Sequence, residues 1–229
     1  MDNYKLHQVI ASISVTVFIM SVAVCIMVCN RSVYDKTFNE YIDSRENDSK
    51  TGQDVTDDVT NNISEFETRV IYKQLADSFT SFFSGDYKLA GYELSGANIE
   101  KLRHLKAYYR WAWIMAVVSL ITGMRSFAIL AKRRLYMPLT YGALGSIIMT
   151  GIFTLVMALS GSGMGMQLKN MIFKGDYSYF SEGDVLISIF PPDYARNMLL
   201  FYIAIIQNLA LLMVLIRGII IFCGRPHKF

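Results

Sequence analysis

The sequence predicts an α-helical polytopic membrane protein: four transmembrane helices, with a small extracytoplasmic α(+β) segment between the first and second. Three observations carry that expectation. Hydrophobic residues make up 53% of the 229-residue chain, and they are gathered into long blocks instead of being spread as in a soluble domain. Four blocks are long enough to cross a hydrocarbon core of about 30 Å, which takes roughly 20 predominantly apolar residues. Two short basic stretches, Lys132 to Arg134 and Arg225 to Lys228, follow the second and fourth blocks, while the longest polar stretch is acidic.

The first block, Val9 to about Val28, carries no charge, and Asn30 and Arg31 mark its exit. It has only Lys5 before it and no small-residue cleavage site, so it reads as a retained anchor and not a signal peptide. The second runs from near Ala107 to about Ala131. Tyr108, Tyr109, Trp111 and Trp113 at its start have the composition of the aromatic belt found at headgroup depth. Lys132, Arg133 and Arg134 stop it. A third block from Met137 to about Leu159 follows after this very short loop, and a fourth runs from Met198 to about Cys223, with Arg225, His227 and Lys228 beyond it.

Short basic loops stay in the cytoplasm, so the Lys132–Arg134 loop and both termini are expected there, in a multi-pass cell-membrane protein. The boundaries are then 1–30 for the N-terminus and first span, 31–106 for an extracytoplasmic segment, and 107–160 for spans two and three. Residues 161–197 form a second extracytoplasmic segment, and 198–229 the fourth span and tail. Charge agrees with this sidedness: residues 31–106 hold 10 Lys/Arg against 14 Asp/Glu, a net of −4.

Within the first outer segment, Ile63 to Phe83 has apolar residues at near-helical spacing and reads as an amphipathic helix whose apolar face must be buried. Ser84, Gly85 and Asp86 break it. Tyr87 to Leu94 has the length of a strand, and a second helix from about Ala97 continues into span two. In the second outer segment the run Val185 to Phe190, ended by Pro191 and Pro192, is too short to cross a bilayer.

Several function classes are excluded by what the chain holds. A formal charge of +3, with dispersed basic residues, does not make a nucleic-acid groove. The glycines at 161, 163 and 165 lack the lysine and hydroxyl of a phosphate-cradling loop. Cys25, Cys29 and Cys223 lie at or near the ends of apolar blocks and read as packing residues, with no CxxC and no partner histidine to make a metal site. No cofactor is expected. Arg125 and Arg217, near the ends of their spans, can snorkel to headgroups, and Gln207 and Asn208, near the middle of span four, are expected to hydrogen-bond another helix.

His104 is the histidine placed at the outer interface by this topology, and histidine is the residue type best suited to proton transfer at physiological pH. On a helix, Glu100 lies four residues before it and Tyr108 four after, an arrangement that orients a general base; Lys101 on the same face opposes protonation. A solvated interfacial histidine is the plainer reading of the spacing taken alone.

These features together resemble a bacterial family, the lipoprotein intramolecular transacylases (Lit) and their integral-membrane relatives. The resemblance runs along nearly the whole chain. It rests on the four ordered spans, on Tyr34 to Tyr41 followed by Thr51 and Gly52, on Phe83, Ser84 and Gly85, and on Arg103, His104 and Leu105 leading into span two. It continues through Ile172 and Phe173, then Gly175, Asp176 and Tyr177, then Asp184, Leu186 and Ile187, and ends at Phe190 and Pro191.

The resemblance implies a membrane acyltransferase that moves an acyl chain of a diacylated lipoprotein from its glyceryl group to its α-amino group at the outer face. Membrane lipid and lipoproteins would be its partners. His104 would stand in the place of the family's first histidine. Lys169 stands where the second is expected, and Ala107 where the family has an Asp. Such chemistry also needs an oxyanion-stabilising group, for which Tyr108, Tyr177 and the backbone amides near Gly161 to Gly165 are the candidates. Tyr108 is taken with His104 and Lys169 as catalytic, and Arg110, Tyr177 and Asp184 as substrate-binding. The alternative, suggested by Ala107 and Lys169, is a non-catalytic membrane protein of the same fold that binds lipid or a protein partner.

Overall fold

In the computed structural model the described residues are 3–30, 32–37, 39–40, 70–71, 73–74, 77, 96–158 and 194–223, and no strand occurs among them. Four long helices carry the chain: α1 (Asn3–Cys29), α2 (Gly96–Ala131), α3 (Met137–Ala158) and α4 (Tyr194–Cys223). Each contains a stretch long and apolar enough to cross a membrane: Tyr4–Cys29, Leu102–Ala131, Met137–Val156 and Arg196–Cys223. The four expected spans are therefore present. At 1.5 Å per residue, α3 is about 33 Å long and matches a bilayer core, whereas α2 reaches about 54 Å and must project beyond it.

That excess length of α2 is its polar start. The expected second helix from about Ala97 and the second span are one uninterrupted element, because no Pro or Gly interrupts the chain between Ala97 and Thr122. α4 starts at Tyr194, a turn earlier than the apolar block, so Asn197 belongs to the helix and not to the preceding connection. Of the expected amphipathic helix Ile63 to Phe83, the described residues are helical, with Ile71 1% exposed. The expected strand Tyr87 to Leu94 and the run Val185 to Phe190 lie outside the described residues.

The chain divides into two compact units. The first comprises Met1–Cys25, Trp111–Tyr177 and Tyr202–Phe229; the second comprises Ile26–Arg110 and Ser178–Phe201. In the first unit the buried positions are mostly small, and large apolar side chains point outward: Ile121, Met124 and Phe222 are 61%, 64% and 76% exposed. This inversion suits lipid as solvent, where helices gain nothing by hiding leucine and associate through close backbone packing. On α2 the buried stripe is Ala116, Ser119, Gly123, Ser126 and Leu130, and on α3 it is Leu139, Ala143, Ser146 and Thr150. Both follow the alternating three- and four-residue spacing of a helix seam.

The tightest contact joins α1 to α3. A Cβ added at Gly142 would overlap Val15 Cβ and lie 2.8 Å from the Ser12 carbonyl, so only glycine permits this approach. The Thr16 hydroxyl is shared between the carbonyls of Ser12 at 3.1 Å and Gly142 at 3.0 Å. Ser14 Oγ and Thr122 Oγ1, 3.1 Å apart, tie α1 to α2. Thr16 and Thr122 also donate within their own helices, to the Ser12 and Val118 carbonyls, so these hydroxyls are not left unsatisfied in hydrocarbon.

The α2–α3 connection is a Schellman cap. The Leu135 amide donates to the Leu130 carbonyl at 3.2 Å and the Arg134 amide to the Ala131 carbonyl at 3.0 Å, with Arg134 left-handed at φ 54°. Glycine is the usual occupant of that position. The Arg133 guanidinium lies 4.2 Å from the centre of the Tyr4 ring, a cation–π contact that fixes the start of α1 against this loop.

Candidate functional site

The second unit contains the N-terminal turns of α2, and their side chains sort sharply by face. Leu102, Lys106 and Tyr109 are 2%, 3% and 4% exposed, at the i, i+4, i+7 spacing of one helical stripe. His104, Tyr108 and Trp111 are exposed and repeat at the same interval on the opposite face. Packing the Leu102 stripe inward therefore turns His104 and Tyr108 outward together. Arg110, half-buried, sits between the two faces.

Tyr109 corrects the expected aromatic belt. Tyr108, Trp111 and Trp113 are 53%, 61% and 43% exposed and suit headgroup depth, but Tyr109 is buried, with its hydroxyl 3.5 Å from Cys29 Sγ at the end of α1. Four aromatics within six residues of a helix cannot share one face. The three cysteines are free thiols; Cys25 is buried and packs as expected, whereas Cys29 and Cys223 are exposed.

Further contacts shape this unit. The Asn30 carboxamide oxygen accepts from the Ser32 amide at 2.9 Å and from the Ser32 hydroxyl at 2.7 Å, and so starts the helical residues 32–37 after the end of α1. Tyr34 and Thr37 are then 1% and 3% exposed. Asn197 of α4 donates from Nδ2 to Thr37 Oγ1 at 2.9 Å, while that hydroxyl donates to the Val33 carbonyl at 2.8 Å. Sequence reading did not single out Thr37, Lys106 or Asn197. Lys106 was legible in principle, since it interrupts the apolar stripe at Leu102 and Tyr109, and a buried ammonium requires compensating contacts.

Of the six sequence-derived site residues, the structure brings His104 and Tyr108 together on one face one turn apart, and places Arg110 on the same helix beside them. Glu100 and Lys101 belong to that helix as well. Lys169, Tyr177 and Asp184 lie outside the described residues. His104 makes no hydrogen bond to a described residue. Among the described residues no group of three or more His, Cys, Asp or Glu side chains is placed to hold a metal ion.

No protein-family model matches the chain, and no curated protein matches its sequence significantly. Solved structures do. The chain superposes on the structure of the membrane integral lipoprotein intramolecular transacylase Lit from Bacillus cereus with a TM-score of 0.76, covering 97% of both chains at 16% identity. Two forms of the same protein, with one histidine changed to arginine or to alanine, give TM-scores of 0.77 and 0.78, again at 16% identity and over 97% of this chain. They are covered over 93% and 95% of their own lengths.

The chain has the Lit fold. The relationship is distant, and the superposition covers nearly the whole of both chains. The expected fold class thus stands as α-helical and polytopic, with the Lit arrangement of spans.

Proposed function

We propose that the chain is a divergent Lit-like acyltransferase that acts at the outer face of the cell membrane on the acyl groups at lipoprotein N-termini. The observation that carries this reading is the Lit fold itself, shared over 97% of the chain with a lipoprotein intramolecular transacylase. The short basic loop Lys132–Arg134 supports cytoplasmic termini, and hence an outer location for the start of α2.

In this reading a lipid-anchored substrate arrives laterally through the bilayer, which suits a reactive pair that is exposed on a helix near headgroup depth. His104 accepts a proton from the attacking α-amine as its nitrogen bonds to the ester carbonyl carbon. The glyceryl oxygen leaves as the tetrahedral centre collapses to an amide, and it takes up the proton from the imidazolium. Tyr108 donates a hydrogen bond to the oxyanion of that centre. Lys169 relays charge, while Arg110, Tyr177 and Asp184 hold the substrate. No metal or nucleotide is required by these steps.

One observation favours a second reading. A general base is normally oriented by a hydrogen bond to its other nitrogen, and His104 has none to a described residue. A non-catalytic protein of this fold, binding lipid or a protein partner through the same face, needs no such bond. Mass spectrometry of lipoprotein N-termini separates the two, in cells that lack their own transacylase and express either this chain or its His104→Ala variant. The enzyme reading expects the acyl group on the α-amine only with the unaltered chain. An unmoved acyl group in cells with abundant, folded protein rejects it.

A further inference from the structure

α4 is the least covered of the four spans, with 17% of its most apolar window buried. Along it Ala204, Asn208, Leu211, Leu215, Gly218 and Phe222 are all exposed, and they recur at alternating intervals of four and three residues. That interval is the a/d repeat of a left-handed helix pair, with Asn208 at an a position and two small residues, Ala204 and Gly218, at d positions. A Cβ at Gly218 would meet nothing within 4 Å, so this glycine answers no packing need within the protomer.

Asn208 decides what covers the face. Its amide nitrogen donates to the Ala204 carbonyl at 2.8 Å, and its carboxamide oxygen accepts no hydrogen bond from a described residue. Neighbouring Gln207, also exposed, makes no hydrogen bond to a described residue. At 1.5 Å per residue, Asn208 lies about 18 Å from Arg196 and about 22 Å from Cys223, the two ends of the span. That is the middle of a hydrocarbon core about 30 Å thick, where lipids present only methyl and methylene groups and their ester carbonyls lie at the far interfaces. At this depth the carboxamide oxygen can find a donor on a peptide chain and not in the lipid. A second copy of this chain inserts with the same orientation and carries Asn208 at the same depth.

We propose that this face of α4 is a homodimer seam, in which two copies pack in parallel about an axis normal to the membrane and their Asn208 carboxamides bond reciprocally. A single Asn at an a position is the best-attested device for fixing register and a two-chain state.

The test uses full-length chains labelled at the amino terminus with donor or acceptor fluorophores and reconstituted in phosphatidylcholine vesicles. Energy transfer is followed as lipid dilutes the protein. Dimers are expected to persist for the unaltered chain. Asn208→Leu and Gly218→Ile, which remove the hydrogen bond and wedge the seam respectively, are each expected to weaken dimerisation at least about tenfold. Ile220→Phe, on the far side of the helix, is expected to leave it unchanged. A protomer that stays monomeric at every dilution, with or without a retained phospholipid, overturns the proposal. So does a dimer indifferent to both Asn208→Leu and Gly218→Ile.

Discussion

Arg217 of α4 donates from Nη1 to Thr140 Oγ1 of α3 at 2.8 Å, so a charged residue within an apolar span is held by a neighbouring helix. The sequence suggested snorkelling for both Arg125 and Arg217. Arg125 is exposed and free to do so, whereas Arg217 is half-buried and its Nε makes no hydrogen bond to a described residue. The Thr140 contact is therefore a main polar attachment of this guanidinium. Thr140→Val is expected to destabilise the fold by about 1–2 kcal/mol in a reversible detergent-unfolding assay. A double-mutant cycle with Arg217→Met should give a coupling of roughly 1 kcal/mol, and additive effects would rule the contact out as a stabilising one.

Gly142→Ala should be far more damaging than its chemistry suggests, by about 3 kcal/mol or more, because its methyl group would overlap Val15 and the Ser12 carbonyl. Gly145→Ala should be intermediate, since Thr16 Oγ1 lies 2.7 Å from the new atom and is engaged in hydrogen bonds. Gly151→Ala and Gly218→Ala, with open space around them, should stay within about 0.5 kcal/mol of the unaltered protomer. Equal effects at all four positions would refute close α1–α3 packing.

Arg134 occupies the left-handed position of a Schellman cap that glycine fills best. Arg134→Gly is expected to raise stability by roughly 0.5–1 kcal/mol while removing one charge from the basic loop. Thermal unfolding in detergent measures the gain. A loss of stability would mean that the Arg134 side chain supplies more than its charge.

Sidedness is tested by a cysteine placed at Lys132 in a chain whose own cysteines are replaced. A membrane-impermeant maleimide added to intact cells is expected to leave it unlabelled, and to label it once the membrane is opened. Labelling in intact cells would reverse the orientation and remove His104 from the outer face.

For the acyltransferase reading, Tyr108→Phe should lower the rate of acyl migration about 100-fold with little change in expression, as expected for loss of one oxyanion donor. The side chain is exposed, so its truncation carries no packing penalty to confuse the result. An unchanged rate would assign Tyr108 to the interfacial aromatic belt instead.

What the sequence by itself determined is the part of the protein governed by one-dimensional pattern. Span number and approximate bounds follow from the length of apolar runs, because a bilayer demands about 20 such residues whatever the fold. The continuity of the His104 helix into span two was legible for the same reason, as was the shared face of His104 and Tyr108, since i and i+4 coincide on any α-helix. Which face turns inward was not. Tyr109 read as a member of the interfacial aromatic belt and Lys106 drew no reading, and only packing in the second unit buried them. Nor did spacing separate Arg217, held by Thr140, from Arg125, or show that Asn208 bonds its own helix at Ala204 and not the neighbour expected for it. Gly142 and Gly151 are alike as letters in α3. Tertiary structure set one against Val15 and left the other open, because helices in lipid meet where their backbones can approach, and that depends on what the partner helix presents.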